Sequence, residues 1–284
     1  MAEQVEIFEV GPRDGLQNEK RQIATEEKVA LVDLLSKAGF RRIEVASFVS
    51  PKWVPQMADS GEVLEGIRRG DGIRYAALTP NLKGFQRAME ARADEIAVFA
   101  AASQAFAKAN TNGTIAEVLE RSRVVAEAAR AKGVPVRGYV SCVVECPYEG
   151  PVKPEAVAPV VAELKAMGCY EISLGDTVGQ GVPESVDAML KAVLEEAEPG
   201  ELAGHYHDTN GRALESIETS LGRGLRVFDA AVGGLGGCPY APGAKGNVAS
   251  EAVAERLEEL GYDTGLDRDV LKRAGERARE MRRV

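Results

Sequence analysis

The chain has 284 residues, with 35 basic and 44 acidic side chains, a formal net charge of −9, two histidines and four cysteines. At roughly 100–200 residues per domain, that length allows one large or two small domains with a full core, and the negative balance argues against a binder of phosphate backbones. No apolar stretch approaches the ~20 residues of a membrane span, the N-terminus lacks a basic and apolar leader, and the cysteines form no CxxC pair, so the sequence predicts a cytoplasmic protein with reduced thiols and no structural zinc site.

Short β-branched runs alternate with longer stretches of helical periodicity, the pattern of βα units feeding a parallel sheet. In chain order, strands are expected at 5–10, 42–46, 73–78, 95–100, 134–140, 170–174, 202–207 and 227–232, and helices at about 25–38, 58–69, 81–91, 114–132, 153–167, 183–196, 212–222 and 250–260. Strand starts recur roughly every 32 residues, close to one βαβ step of ~30 residues. Gly39, Gly133 and Gly168 each follow a helical stretch directly, as helix stop signals do. With no internal repeat or Pro/Ser linker, the fold class is α/β: a single (β/α)8 TIM barrel over about 5–262 with a C-terminal helical extension over about 263–284. An open doubly wound sheet is the other arrangement, and the lack of G-x-G-x-x-G after the first strand counts against it. In such a barrel the working groups lie at the C-terminal ends of strands and in the loops that follow.

After the first strand, Glu9-Val10-Gly11-Pro12-Arg13-Asp14-Gly15-Leu16-Gln17 breaks the extended run and presents Arg13, Asp14 and Gln17 in a loop. An Arg-Asp pair is commonly a surface pair, but at a strand end it suits a divalent cation and an enolate oxygen. Glu44 sits inside an apolar strand and faces the lumen by alternation from Ile43 and Val45, so it needs a buried partner, with Arg13 or Arg137 as candidates. Ser47 follows it, Tyr139 and Ser141 close the fifth strand, and Asp176 and Thr177 close the sixth, where they either cap the next helix or enter the site. Both histidines, His205 and His207, lie two residues apart on the seventh strand. Their imidazoles project from one face as a pair of metal ligands, the alternative being a hydrogen-bonded structural pair. The eighth loop, 233–247, is rich in glycine with Cys238 at its centre. That composition fits a cover over a ligand, with an exposed thiol able to carry a proton rather than an inert buried one. Asn247 ends the loop as a helix N-cap or as an amide-oxygen ligand.

As a set, these motifs resemble the hydroxymethylglutaryl-CoA lyase family of metal-dependent carbon–carbon lyases built on TIM barrels. The segments that carry the resemblance are VGPRDGLQNE (10–19), IEVASFVSPKWVPQMAD (43–59), GYVSCVVECPYEG (138–150), CYEISLGDTVG (169–179), GHYHDTNGRAL (204–214) and VGGLGGCPYAPGAKGNVASE (232–251). The resemblance implies retro-Claisen cleavage of 3-hydroxy-3-methylglutaryl-CoA to acetyl-CoA and acetoacetate with Mg²⁺ or Mn²⁺. It places the metal ligands on Asp14, His205, His207 and Asn247, and catalytic roles on Arg13, Cys238, Asp176, Glu44 and the metal-bound His205. Gln17, Ser47, Tyr139 and Thr177 fall where substrate is bound. An acyl-CoA substrate and a homodimer are expected, as is a place in leucine degradation with ketone body formation or in another acyl-CoA route; nucleic-acid and membrane partners are not expected.

Other readings fit fewer of these residues. A condensing enzyme of the isopropylmalate or homocitrate synthase type shares the Arg-Asp and His-x-His elements but carries a regulatory domain for which 284 residues leave no room. A non-catalytic metal-binding barrel would leave the eighth loop inert. Asn210 and the Val143-Val144-Glu145 stretch depart from the resemblance and bear on substrate preference, a different 3-hydroxyacyl-CoA, rather than on reaction class. The chain opens on its first strand and ends at Val284 without a cysteine-bearing tail, so neither a transit peptide nor a thiol-regulated dimer is expected.

Overall fold

In the computed structural model, residues 2–238 and 241–282 are described, with the side chains of 237, 238 and 241–245 outside that set. Eight parallel strands form the centre: β1 Glu6–Glu9, β2 Arg42–Ser47, β3 Arg74–Leu78, β4 Glu95–Ala101, β5 Val136–Ser141, β6 Glu171–Asp176, β7 Leu202–Tyr206 and β8 Val227–Ala230. They pair in the cyclic order β1-β8-β7-β6-β5-β4-β3-β2, so the sheet closes into a (β/α)8 barrel as expected. Around it run α1 Thr25–Leu35, α2 Ser60–Gly66, α3 Leu82–Glu90, α4 Gln104–Thr111, α5 Ile115–Ala131, α6 Pro154–Ala166, α7 Pro183–Val193, α8 Ala213–Gly222 and α9 Ser250–Glu259, followed by α10 Arg268–Met281. No described helix is long and apolar enough to cross a membrane.

The helices form where the sequence supplies caps and an apolar stripe. In α5, Thr114 accepts the Glu117 amide while the Glu117 carboxylate accepts the Thr114 amide, which satisfies two of the helix's unpaired donors. Val118, Ser122, Val125, Ala126 and Ala129 recur at helical spacing on its buried face, and each fully buried valine contributes about 1.5–3 kcal/mol. Asp267 caps α10, which packs against α1 and the first turn of the eighth loop. Helix α4 was not expected. It is short, capped by Ser103, and follows directly on the alanine run that ends β4, so no change of period announces it. The eighth strand stops at Ala230, earlier than expected, because Gly233 and Gly234 turn the chain with positive φ.

Strand alternation sorts the side chains. Tyr75 and Tyr206 point outward, to Ser36 and Ser220, while Glu6, Phe8, Arg42, Arg137, Glu171 and Asp229 fill the lower lumen and contact one another. A bulge in β2 between Glu44 and Ala46 changes the alternation. Glu44 and Ser47, three residues apart and thus on opposite faces of a regular strand, pair with Ala76 and Leu78 of β3, which share one face. Both therefore face the lumen.

Candidate active site

Past β1 the chain makes one wide helical turn, Gly11–Gly15, with Pro12 at its start, and this turn carries Arg13 and Asp14 over the mouth of the barrel. Gly15 is required there, since a Cβ at this position would lie 2.6 Å from Cβ of Leu235 in the eighth loop. His205 on β7 and His207 just beyond it meet Asp14: one ligand atom from each of the three lies within 4.8 Å of the others. Asn247 reaches the same place through a bridge to His207, and its Nδ2 donates to Asp14 Oδ2 at 2.8 Å and to the Leu235 carbonyl at 3.3 Å. The amide oxygen is the atom left for a cation. Helix α9 is capped at Ala249, so Asn247 is not its N-cap.

Arg13 binds both neighbouring carboxylates. Its Nε donates to Glu44 Oε2 at 2.6 Å, Nη2 lies 2.5 Å from the same oxygen, and Nη1 donates to Asp14 Oδ1 at 2.6 Å. Of the two arginines considered for Glu44, the structure selects Arg13; Arg137 turns instead to Asp229, through Nη1 and Nη2 at 3.0 and 2.7 Å, and to Glu171 through Nε at 2.6 Å. Three contacts leave Arg13 two of its five N–H groups for an incoming oxygen. Burial disfavours the Arg13 charge, but Glu44 and Asp14 outweigh it and keep the guanidinium protonated. For Asp14 burial acts upward, yet Arg13 and the two imidazoles hold the carboxyl at about 2, so it is ionised at any working pH. Burial lifts Glu44 above the usual carboxylate range despite Arg13.

The two imidazoles are unlike. Burial and the charge of His205 push His207 down to about 4, which leaves it neutral with a lone pair to give, and its Nδ1 is buried without a hydrogen-bond partner among the described residues. His205 is raised: burial opposes its charge, but Asp229, 3.1 Å from Nδ1, and Asp14 prevail. A carboxylate, two imidazoles and an amide oxygen form a donor set that suits a divalent cation.

The sequence matches the HMGL-like family over residues 4–277. This chain belongs to the HMGL-like family. It is 56% identical over 277 residues, 98% of this chain and 92% of the relative, to the 3-hydroxy-3-isohexenylglutaryl-CoA/hydroxy-methylglutaryl-CoA lyase of Pseudomonas aeruginosa. The crystal structure of the HMG-CoA lyase from Brucella melitensis superposes with a TM-score of 0.98 at 61% identity, covering 99% of each chain. An HMG-CoA lyase from A. baumannii, solved with coenzyme A and 3-methylmalate, matches at 38% identity and TM-score 0.93 over 98% of this chain and 91% of its own.

In this HMGL-like barrel, the other residues singled out by sequence take separate positions. Tyr139 and Ser47 face the upper lumen; Tyr139 lies edge-on to His205 with ring centroids 6.3 Å apart and has the Arg13 guanidinium 5.5 Å from its own. Gln17 is half-buried one turn beyond Asp14. Asp176 points the other way: its carboxylate accepts the backbone amides of Gly179, Gln180 and Gly181 at 3.1, 3.2 and 2.7 Å, next to Val186 and Ser216 on the surrounding helices. It organises the sixth loop, the helix-entry alternative, and Thr177 ties that loop to the fifth by accepting the Cys142 amide at 2.9 Å. The Cys238 side chain lies outside the described residues. Asp229 was missed by sequence reading. Its signal was the one Glu44 gave, a lone carboxylate in the apolar run Val-Phe-Asp-Ala of β8.

Proposed function

We propose that this chain is a hydroxymethylglutaryl-CoA lyase, which cleaves 3-hydroxy-3-methylglutaryl-CoA to acetyl-CoA and acetoacetate with Mg²⁺ or Mn²⁺ held by Asp14, His205, His207 and Asn247. The observation that carries this reading is the convergence of Asp14 and both histidines within 4.8 Å, beside an arginine fixed by two carboxylates. When bound, the cation supplies Lewis acidity that makes the substrate hydroxyl a stronger acid and fixes its orientation.

The chain's own groups do the rest. Glu44, raised by burial and with Oε1 buried and unpartnered among the described residues, takes the proton of the C3 hydroxyl. Asp176, to which the resemblance gives a catalytic role, has its carboxylate occupied by three backbone amides. As the C2–C3 bond breaks, the electron pair moves to the acetyl fragment, and the two uncommitted N–H groups of Arg13 bind its enolate oxygen. A pre-placed donor of this kind contributes about 3–4 kcal/mol. Cys238 delivers the proton that completes acetyl-CoA, a role that rests on the family resemblance.

The name of the Pseudomonas relative favours a second substrate as well, with a longer branched chain in place of the methyl group. Leu78, Ala97, Phe99 and Tyr139, which pack together in the lumen, are the surface such a group would meet. A homodimer and a cytoplasmic location belong to the same proposal. The deciding test is incubation with Mg²⁺ and 3-hydroxy-3-methylglutaryl-CoA and assay for acetoacetate; no product on either acyl-CoA would leave only the fold and the ligand cluster standing.

A further inference from the structure

Asp229 lies on β8, is 2% exposed, and takes no part in the chemistry above. Its two oxygens accept from four donors: Arg137 Nη2 on Oδ1, and Arg137 Nη1, Ser173 Oγ and His205 Nδ1 on Oδ2, at 2.7, 3.0, 2.8 and 3.1 Å. A carboxylate oxygen has about two lone-pair sites, so Oδ2, the oxygen beside His205, is fully occupied by its three donors and has none left to ligate an ion itself. The buried Arg137 beside it makes the ionised, acceptor-only form the stable one. An acceptor-only neighbour forces the proton of a neutral His205 onto Nδ1, which leaves the Nε2 lone pair free for an ion shared with Asp14 and His207.

A partner for Arg137 alone would not need this arrangement. Glu171 already pairs with Arg137 Nε at 2.6 Å and with Arg42 at 2.9 and 3.1 Å, and Arg42 pairs with Glu6 at 2.6 Å. Along this chain of contacts Glu6, Glu171 and Asp229 face Arg42 and Arg137, an excess of one negative charge, and the end that reaches the imidazole is a carboxylate. A net negative charge behind a ligand favours a cation in front of it.

We propose that Asp229 is a positioning residue for the cation site: it fixes the Nδ1–H tautomer and the ring orientation of His205 so that Nε2 faces the ion, and Arg137 and Ser173 hold Asp229 in place. This rests on the reading of Asp14, His205 and His207 as cation ligands.

The chain has only two histidines, so a two-bond ¹⁵N–¹H correlation spectrum of the full-length, Mg²⁺-bound protein shows two imidazoles. The expected result is a protonated Nδ1 and a cation-shifted Nε2 for His205; a proton on Nε2, or the ion on Nδ1, overturns the proposal. In parallel, Asp229→Asn should weaken Mn²⁺ binding, read by electron paramagnetic resonance, about 10–100-fold. Unchanged affinity in a folded variant would overturn the proposal too, and if the variant does not fold the wild-type spectrum decides alone. A wild-type protein that binds no cation sinks the metal reading, whereas a bound cation with the opposite tautomer sinks only the role of Asp229.

Discussion

The lower and upper halves of the lumen are built from the same residue types and treat them differently. Below, Glu6, Arg42, Glu171, Arg137 and Asp229 form a continuous series in which each charged group meets an opposite one at 2.6–3.1 Å. Above, Glu44 Oε1, Ser47 Oγ, Tyr139 Oη and His207 Nδ1 are buried without a hydrogen-bond partner among the described residues. The fifth such atom, Glu95 Oε2, lies at the lower end within 3.4 Å of Arg74 and is not stranded. Buried polar atoms carry a desolvation cost of ~1–3 kcal/mol when unpaired. A cluster of them at the open end of an otherwise satisfied barrel marks where a polar ligand completes the structure. The lower half satisfies its charges within the chain; the upper half presents unpaired polar atoms at the barrel mouth.

This contrast can be broken in graded ways. Arg137→Met leaves Asp229 without its arginine and Glu171 with Arg42 alone, and should lower unfolding free energy by about 3–5 kcal/mol; an unchanged denaturant midpoint would show that the lower series does not hold the fold. Arg13→Met should reduce turnover about 10³-fold while the protein stays folded and keeps its cation, and acetoacetate formation at a near-normal rate would remove Arg13 from the chemistry. His207→Ala should weaken Mn²⁺ affinity about 100-fold or more with little loss of stability, which calorimetric titration can check.

Glu9 supplies the pH test. Its carboxylate, facing away from the lumen, ties the amides of Gly11 and Val232 and the Ser250 hydroxyl together behind the site, and burial pushes it up to about 7. A folded-state value above the ordinary 4.5 means that the protonated form is the one favoured by folding, so this contribution is complete below about pH 4.5 and is lost as pH rises through about 7. Glu9→Gln has no proton to lose, and its stability relative to the wild type should rise by on the order of 2 kcal/mol between pH 5 and pH 8. Parallel pH profiles for the two proteins would contradict this. The smallest effect is expected from Ser47→Ala: a several-fold rise in KM, about 1 kcal/mol, with unfolding unchanged.

Much of this was legible in the sequence. The eight strands differ from their expected bounds by at most a few residues, because a strand buried on both faces and a helix with one apolar stripe each write their period locally. The two histidines at i and i+2, and Arg13-Asp14 past a strand end, converge as their spacing suggested. Asp176 and Arg137 went elsewhere than the site, since the choice among several partners is made between strands. Alternation gives a face but not a neighbour.

The sequence by itself determined that the chain closes into a barrel and that Asp14 and the two histidines gather at one end. Only the tertiary structure decided that a bulge puts Glu44 and Ser47 on one face, that Arg13 rather than Arg137 serves Glu44, and that Asp229 stands behind His205. The physical reason is register: closure of the sheet sets which residue of one strand lies across from which residue of the next, and that stagger is a property of the whole ring rather than of any segment.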